Sequence, residues 1–181
     1  TYDANSTGDQ QTNIVKSGVP NTGRTDITDG TKTVTVLGSV GEIICRTNID
    51  IASGVVLSSE NYAYSDESKR SYTVTYLDAT TSTVNYDCCG LANVTDREGV
   101  VTQYSYDTLH RRTGTTRLNI TTLDTLDAAG NVLVTTRIGT DSTQKVLRQA
   151  AYELAGRMTS MTNALLGVTT YAETTDSGTG E

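Results

Sequence analysis

The stretch "GVVTQYSYDTLHRR", residues 99–112, carries the pattern that decides the fold. A glycine opens it, and β-branched or aromatic residues then alternate with polar ones as far as Tyr106. Alternation with a period of two predicts a strand with two different faces. Asp107 follows, and an aspartate at the first position of a turn accepts hydrogen bonds from the backbone two residues further on. The stretch therefore predicts a strand that ends in a turn.

The same pattern recurs along the chain. Its copies begin at residues 86, 106, 126 and 152, so the first three starts are 20 residues apart and the last gap is 26. A glycine usually stands three positions after the acidic residue, where positive φ is needed, and His110 replaces it in one copy. One hairpin does not bury its own apolar face, so successive hairpins are expected to stack. The four copies read "YDCCGL", "YDTLHRR", "LDAAGNV" and "YELAGRM".

These residues resemble the YD-repeat family, also called Rhs repeats, which occurs in bacterial wall-associated and toxin-delivery proteins and in teneurins. The best match is "YELAGRMTSMTNALLGVTTYAE", residues 152–173, and the resemblance covers residues 86–173 and fades upstream. It implies a β-sheet spiral. The resemblance also implies that a separate toxin can follow the repeats at the carboxyl end, as in some members of the family. This sequence shows no signature of such a toxin.

We therefore expect an all-β fold of antiparallel β-hairpin repeats, stacked in a spiral, shell or fibre-like sheet, with few or no helices. Thr makes up about one residue in five, and all ten aromatic residues are Tyr, which suits half-exposed strands. Residues 1–60 are predicted to be a divergent strand region and residues 61–181 to be YD-like hairpin repeats. One continuous β-rich domain is the alternative.

Residues 143–166 admit a second interpretation. Apolar residues there are spaced as on an amphipathic helix, with Thr143 as its cap and Gly167 at its end. Gly156 in the middle costs such a helix about 1 kcal/mol relative to Ala. We predict a hairpin, with a helix over residues 143–151 as the alternative. The apolar positions are Val146, Leu147, Ala150, Ala151, Leu154, Met158 and Met161.

The net charge of −7 repels phosphate backbones, so we expect no nucleic-acid partner. No apolar run approaches the roughly 20 residues that span a bilayer, so we expect no membrane insertion. The chain begins at Thr1 rather than Met, which indicates a processed product or an excerpt of a longer protein.

We predict no catalytic, cofactor-binding or metal-binding residue, and no enzymatic activity. Cys45, Cys88 and Cys89 lack the spacing of a zinc site, and both free thiols and a disulfide from Cys45 to either neighbour stay open. The single histidine, His110, fits a solvated turn better than a general base. Acidic residues in "TDITDG" (25–30) and "TDREG" (95–99) fit turn chemistry better than Ca²⁺ binding.

The expected function is structural: an extracellular or cell-surface β-repeat protein that forms a shell, a tube or a self-assembling filament. A carbohydrate- or cell-binding module using exposed Tyr rings, and a shell segment enclosing a toxin located elsewhere, are the alternatives. We expect a homo-oligomer or homopolymer assembled head to tail, in which residues 168–171 pair with a neighbour's strand near Tyr2.

Two further expectations concern individual positions. The residues that precede the acidic turn positions are predicted to be core residues stacked in register, namely Tyr86, Tyr106, Leu126 and Tyr152. Sequons for N-glycosylation occur at Asn5, Asn93 and Asn119, and a Thr-rich chain generates such triplets by chance.

Overall fold

The structure is a computed structural model that describes residues 2–3, by their backbone alone, and residues 10–172. Every regular element in this range is a β-strand, which confirms the predicted all-β fold. None of the described segments forms a helix that would cross a bilayer. The chain divides into two compact units, Thr1–Val100 and Val101–Glu181. The boundary predicted at residue 60 concerns where the sequence motif fades, and it stays a prediction.

The first unit is an antiparallel meander in which each strand pairs with the next one in sequence. Short turns join the strands, so all pairing is local, as Thr-rich and Val-rich alternating runs favour. Its strands are β1 (Tyr2–Asp3), β2 (Gln10–Pro20), β3 (Ile27–Leu37), β4 (Ile43–Asp50), β5 (Val56–Tyr64), β6 (Tyr72–Tyr76), β7 (Thr81–Tyr86) and β8 (Leu91–Thr95).

The second unit follows the same plan, with antiparallel pairing between consecutive strands. Its strands are β9 (Val101–Tyr106), β10 (Arg112–Arg117), β11 (Ile120–Leu126), β12 (Val132–Ile138), β13 (Gln144–Tyr152), β14 (Met158–Asn163) and β15 (Val168–Thr170).

The segment with two interpretations is a hairpin. β13 pairs with β14, and Ala150 lies opposite Met161. The helix considered for residues 143–151 is therefore wrong. The adjacent apolar residues Val146 and Leu147 fit a strand because Leu147 is an extra residue in β13, skipped in the pairing with β12, and an extra residue moves the two-residue alternation out of phase.

A β-bulge follows each turn that the YD-like motif marks. In β9–β10, Tyr106 pairs with Arg112 and Ser105 with Gly114, so Thr113 is the extra residue. The equivalent extra residue occurs in the returning strand of six other hairpins. A bulge at this place bends the returning strand and increases its twist. The other six are Thr28, Ile44, Leu57, Ala92, Leu133 and Thr159.

Very little of the described chain is buried. Only Ser71, Val74 and Gly114 are buried within residues 10–172, and Val74 is 5% exposed. Of the predicted core residues, Tyr106, Leu126 and Tyr152 are half-buried, and Tyr86 is exposed, at 39%. The expectation of a buried core at these positions was wrong, because a single-layer sheet has no second layer to cover either face.

The same residues are not stacked in register either. The row of paired residues that contains Ser105 runs through Gly114, Leu123 and Thr136 to Val146. Ser105 directly precedes Tyr106, whereas Leu123 precedes Leu126 by three residues and Val146 precedes Tyr152 by six. Equivalent positions therefore shift along the strands from one hairpin to the next, which is the stagger that curved or closed sheets require.

The sequons differ in their surroundings. Asn119 is exposed in the tight turn between β10 and β11, with φ of 59°. Asn93 is half-buried in β8 and accepts a hydrogen bond from Asn85 Nδ2 at 2.8 Å. Asn5 lies outside the described residues.

Candidate functional site

One turn geometry recurs throughout both units. The N–H of the first residue donates to the C=O of the fifth, and the N–H of the fourth donates back to the C=O of the first. The fourth residue has positive φ, which is the three-residue hairpin loop with a left-handed final position. These turns span residues 38–42, 76–80, 96–100, 107–111, 127–131, 139–143, 153–157 and 163–167.

The predicted turn chemistry is visible in the acidic first residues. Asp107 Oδ1 accepts the N–H groups of Leu109 and Arg111, each at 2.9 Å. The backbone donor of Arg111 is the main reason that the pKa of Asp107 lies below its ordinary value. Asp127 is held in the same way by Asn131, whose side chain and N–H lower its pKa.

The left-handed fourth position is where the sequence motif places glycine. Gly130 and Gly156 have φ of 94° and 78°, as predicted. Gly90 also has positive φ, at 151°, although its turn is one residue shorter. His110 occupies the left-handed position of its turn with φ of 60° and is exposed. Sequence reasoning missed three further turns because their fourth residues are Ala79, Ser142 and Leu166.

Neighbouring turns on one edge of the second unit are tied together by an arginine. Arg111 Nε donates to Asp107 Oδ2 at 2.7 Å within its own turn. Its Nη1 donates to the C=O of Asp127 in the next motif-marked turn, also at 2.7 Å. A planar guanidinium suits this double role because its donors point in fixed, divergent directions. The basic residue of the motif thus links one repeat to the next.

Cations cover several Tyr rings. The guanidinium of Arg97 lies 4.3 Å from the ring centroid of Tyr76, and it also binds Asp78. Arg70 lies over the ring of Tyr86 at 4.7 Å. Lys69 and Tyr64, at 5.6 Å, and Arg112 and Tyr104, at 5.3 Å, form the other pairs. Such contacts contribute about 0.5–1 kcal/mol each at exposed sites, and they occupy one face of each ring.

Three Tyr rings, including that of Tyr64, contact one another. Tyr72 lies 5.7 Å from Tyr62 and 5.8 Å from Tyr64, measured between ring centroids. Tyr62 donates its hydroxyl to Glu60 at 2.9 Å, and Tyr64 donates to the C=O of Ile43 at 2.8 Å. Burial first, and Glu60 second, raise the pKa of Tyr62 to about 12. The rings of these three Tyr residues contact one another, and two of their hydroxyl groups donate to other groups of the same sheet.

A cleft of about 790 Å³ lies between two motif-marked turns of the second unit, residues 127–131 and 153–157. Tyr152 and the apolar turn residues Ala128 and Leu154 contribute to its lining. Its carboxylates are engaged locally, since Asp127 binds Asn131 and Glu153 binds Arg157.

The cysteines fall into two places. Cys45 in β4 lies opposite Asn61 in β5, which lies opposite Thr75 in β6, which lies opposite Thr81 in β7. Strands β4 and β7 are therefore three strand spacings apart. Three strand spacings amount to about 14 Å, too far for a disulfide. A bond from Cys45 to either Cys88 or Cys89 is therefore wrong, and all three thiols are free. Cys88 and Cys89 lie together in the β7–β8 turn.

The acidic residues of the two stretches predicted to be turns differ in their surroundings. In the first stretch, Asp26 precedes β3 and binds Lys16 at 2.7 Å, whereas Asp29 lies within β3, so the turn prediction was wrong for Asp29. Asp96, in the second, accepts the N–H groups of Glu98 and Val100. Among the described residues, Asp87, Cys88 and Cys89 alone bring three groups of metal-binding type within 4.8 Å of one another.

Comparison with known proteins supports the repeat interpretation. The family model "RHS Repeat" matches residues 90–122, which confirms the resemblance found in the sequence. A chain in the crystal structure of TcdB2-TccC3-Cdc42 is similar in fold, with a TM-score of 0.56 and 18% identity over 85% of this chain. This chain spans 8% of the length of that one. No curated protein matches the sequence.

Proposed function

We propose that the chain is a structural β-hairpin-repeat segment of an extracellular or cell-surface protein, and that it builds the wall of a shell, tube or filament. One observation carries the proposal: the hairpins repeat, with strands added in sequence order, yet only three of the residues 10–172 are buried. Repeats without a second layer of structure bury their faces against neighbouring repeats.

The hydrogen bonds between side chains on neighbouring strands also suit a structural role. Polar side chains bond from strand to strand, as where Thr33 donates to Asn48 at 2.6 Å and Asn48 donates to Ser58 at 2.8 Å. Such cross-strand pairs contribute stability without creating a reactive site. The proposal assigns no catalysis and no cofactor to this chain.

The proposal includes head-to-tail self-assembly through the last described strand. β15 pairs with β14 on one side, and within the described residues no strand covers its other side. Tyr171 N–H donates to Thr159 at 2.9 Å, so the direction of hydrogen bonding places the N–H groups of Val168 and Thr170 on the open side. An open edge with outward donors accepts another strand.

Sedimentation velocity of the 181-residue chain over a range of concentrations tests this assembly. Thr170→Pro removes an outward N–H and leaves the bonds to β14, so it should keep the protein at the mass of one chain with unchanged thermal stability. Thr170→Val, which retains the N–H, is the matched control and should assemble like the wild type. A wild-type chain that sediments as one folded chain at every concentration would contradict self-assembly.

Carbohydrate binding is the weaker alternative, because cations lie over the rings of Tyr64, Tyr76, Tyr86 and Tyr104. A sugar that stacked on those faces would have to displace them. A glycan array with the purified chain tests it directly, and specific binding lost in Tyr76→Ala would favour this function over the structural one. A shell that encloses a toxin elsewhere in a longer chain is tested by the reading frame on either side of this segment.

A further inference from the structure

The turn between β7 and β8 differs from the eight five-residue turns. Asp87 N–H donates to the C=O of Gly90 at 2.9 Å, so the loop closes one residue earlier. Asp87 Oδ1 accepts the N–H groups of Cys89 at 2.9 Å and Gly90 at 3.2 Å. The two middle positions, which carry unrelated residues in the other copies, are here Cys88 and Cys89. The short turn therefore holds two thiols side by side.

The distance between the two sulfur atoms distinguishes two kinds of chemistry. Cys88 Sγ and Cys89 Sγ are 2.8 Å apart. A disulfide bond is about 2.05 Å long, so a movement of about 0.8 Å would form it. Two thiolates on one tetrahedral Zn²⁺, at about 2.3 Å each, lie about 3.8 Å from one another. The geometry is nearer to a covalent bond than to a metal chelate, although Asp87 adds a third donor atom.

We propose that Cys88 and Cys89 form a redox-active pair that closes into a disulfide between neighbouring residues when a low-molecular-weight disulfide is present as oxidant. The Cys88 thiolate attacks one sulfur of the oxidant, forms a mixed disulfide and releases one small thiol. The Cys89 thiolate then attacks the Cys88 sulfur, forms the internal S–S bond and releases the second small thiol. The protein loses two protons and two electrons, and the oxidant gains both.

The exposure of the two residues supports this order of events. Cys88 is exposed and meets the oxidant first, whereas Cys89 is half-buried behind it. The hydrogen-bond contact with Cys88, followed by burial, raises the pKa of Cys89 to about 11. Cys89 is therefore protonated near neutral pH while Cys88 is a thiol, and the mixed disulfide removes the first of these causes. Cys45, in β4, is out of reach and takes no part.

Thiol trapping in glutathione buffers tests the proposal on the whole 181-residue chain. The reduced chain is equilibrated between about −300 and −150 mV, quenched with an alkylating agent and digested with trypsin. Cleavage after Arg70 and Arg97 puts Cys88 and Cys89 in one peptide, residues 71–97, and Cys45 falls in residues 33–46. We expect the first peptide to become unlabelled and two hydrogen atoms lighter, while the second stays labelled.

Three variants make the result specific, and circular dichroism checks that each one folds. Cys88→Ser and Cys89→Ser should each lose the internal bond and carry a label or a glutathione adduct instead. Cys45→Ser should behave like the wild type. Full labelling of both thiols at the most oxidising potential would overturn the proposal. Glutathione adducts on both residues, or a cross-link to residues 33–46 or between two chains, would overturn it as well.

Discussion

Replacing Leu166 by Gly should stabilise the protein, although the change removes an entire apolar side chain. Leu166 has φ of 65° at the left-handed position of the turn 163–167, and its residue is 83% exposed. The left-handed conformation costs an L-residue about 1–2 kcal/mol, and Gly avoids that cost. The greater freedom of Gly in the unfolded chain takes back about 0.4–1 kcal/mol. The net stabilisation is about 0.5–1 kcal/mol, because little packing is lost.

Leu165 is the matched control for this prediction. It is 85% exposed, it is the same residue type in the same turn, and it does not have positive φ. Leu165→Gly should therefore destabilise by about 0.5–1 kcal/mol, since the entropy cost stands alone. Urea unfolding of the two variants, followed by circular dichroism, gives both values. If Leu166→Gly destabilises as much as Leu165→Gly, the assignment of the left-handed turn position is refuted.

Three further predictions follow from individual groups. The turn donors that lower the pKa values of Asp107 and Asp127 contribute stability that is present above the unfolded value of about 4 and is lost as the pH falls through the lower folded values. In thermal melts, Tm should therefore decrease as the pH is lowered below about 4, and it should decrease less steeply in Asp127→Asn. A Tm that stays constant over this pH range contradicts the prediction. Val74 is 5% exposed, and Val74→Ala removes the equivalent of two methylene groups, so it should lower the free energy of unfolding in urea by about 1.6 kcal/mol. A loss near zero would show that the site is not buried. In an ultraviolet titration, Tyr62→Phe should remove the component with pKa about 12 that burial and Glu60 create, and an unchanged curve would contradict it.

The turns were the most predictable part of the fold. An acidic residue followed by a glycine three positions later identified Gly130 and Gly156 correctly, because both residue types are required by the local backbone. Turns that end in Ala79, Ser142 and Leu166 escaped, since nothing in those side chains favours positive φ. The neighbouring hydrogen bonds of the sheet hold these residues there.

Register and packing were not predictable in the same way. A bulge such as that at Thr113 shifts the alternation by one residue, and residue type does not identify it, since Ala92 and Leu133 occupy the same place in other hairpins. The cation over Tyr76 comes from Arg97, which is distant in sequence and close only once β6, β7 and β8 have paired. The half-buried state of Tyr106 likewise depends on what covers the sheet.

Electron microscopy of the purified 181-residue chain, with Thr170→Pro beside it, tests most directly the claim that these repeats build a larger structure through their strand edges. We expect fibres or tubes of uniform width from the wild type, with a repeat of about 4.8 Å along the direction in which strands are added. The proline variant should give dispersed particles. Dispersed single chains in the wild type, or assemblies without that spacing, would refute assembly through strand edges.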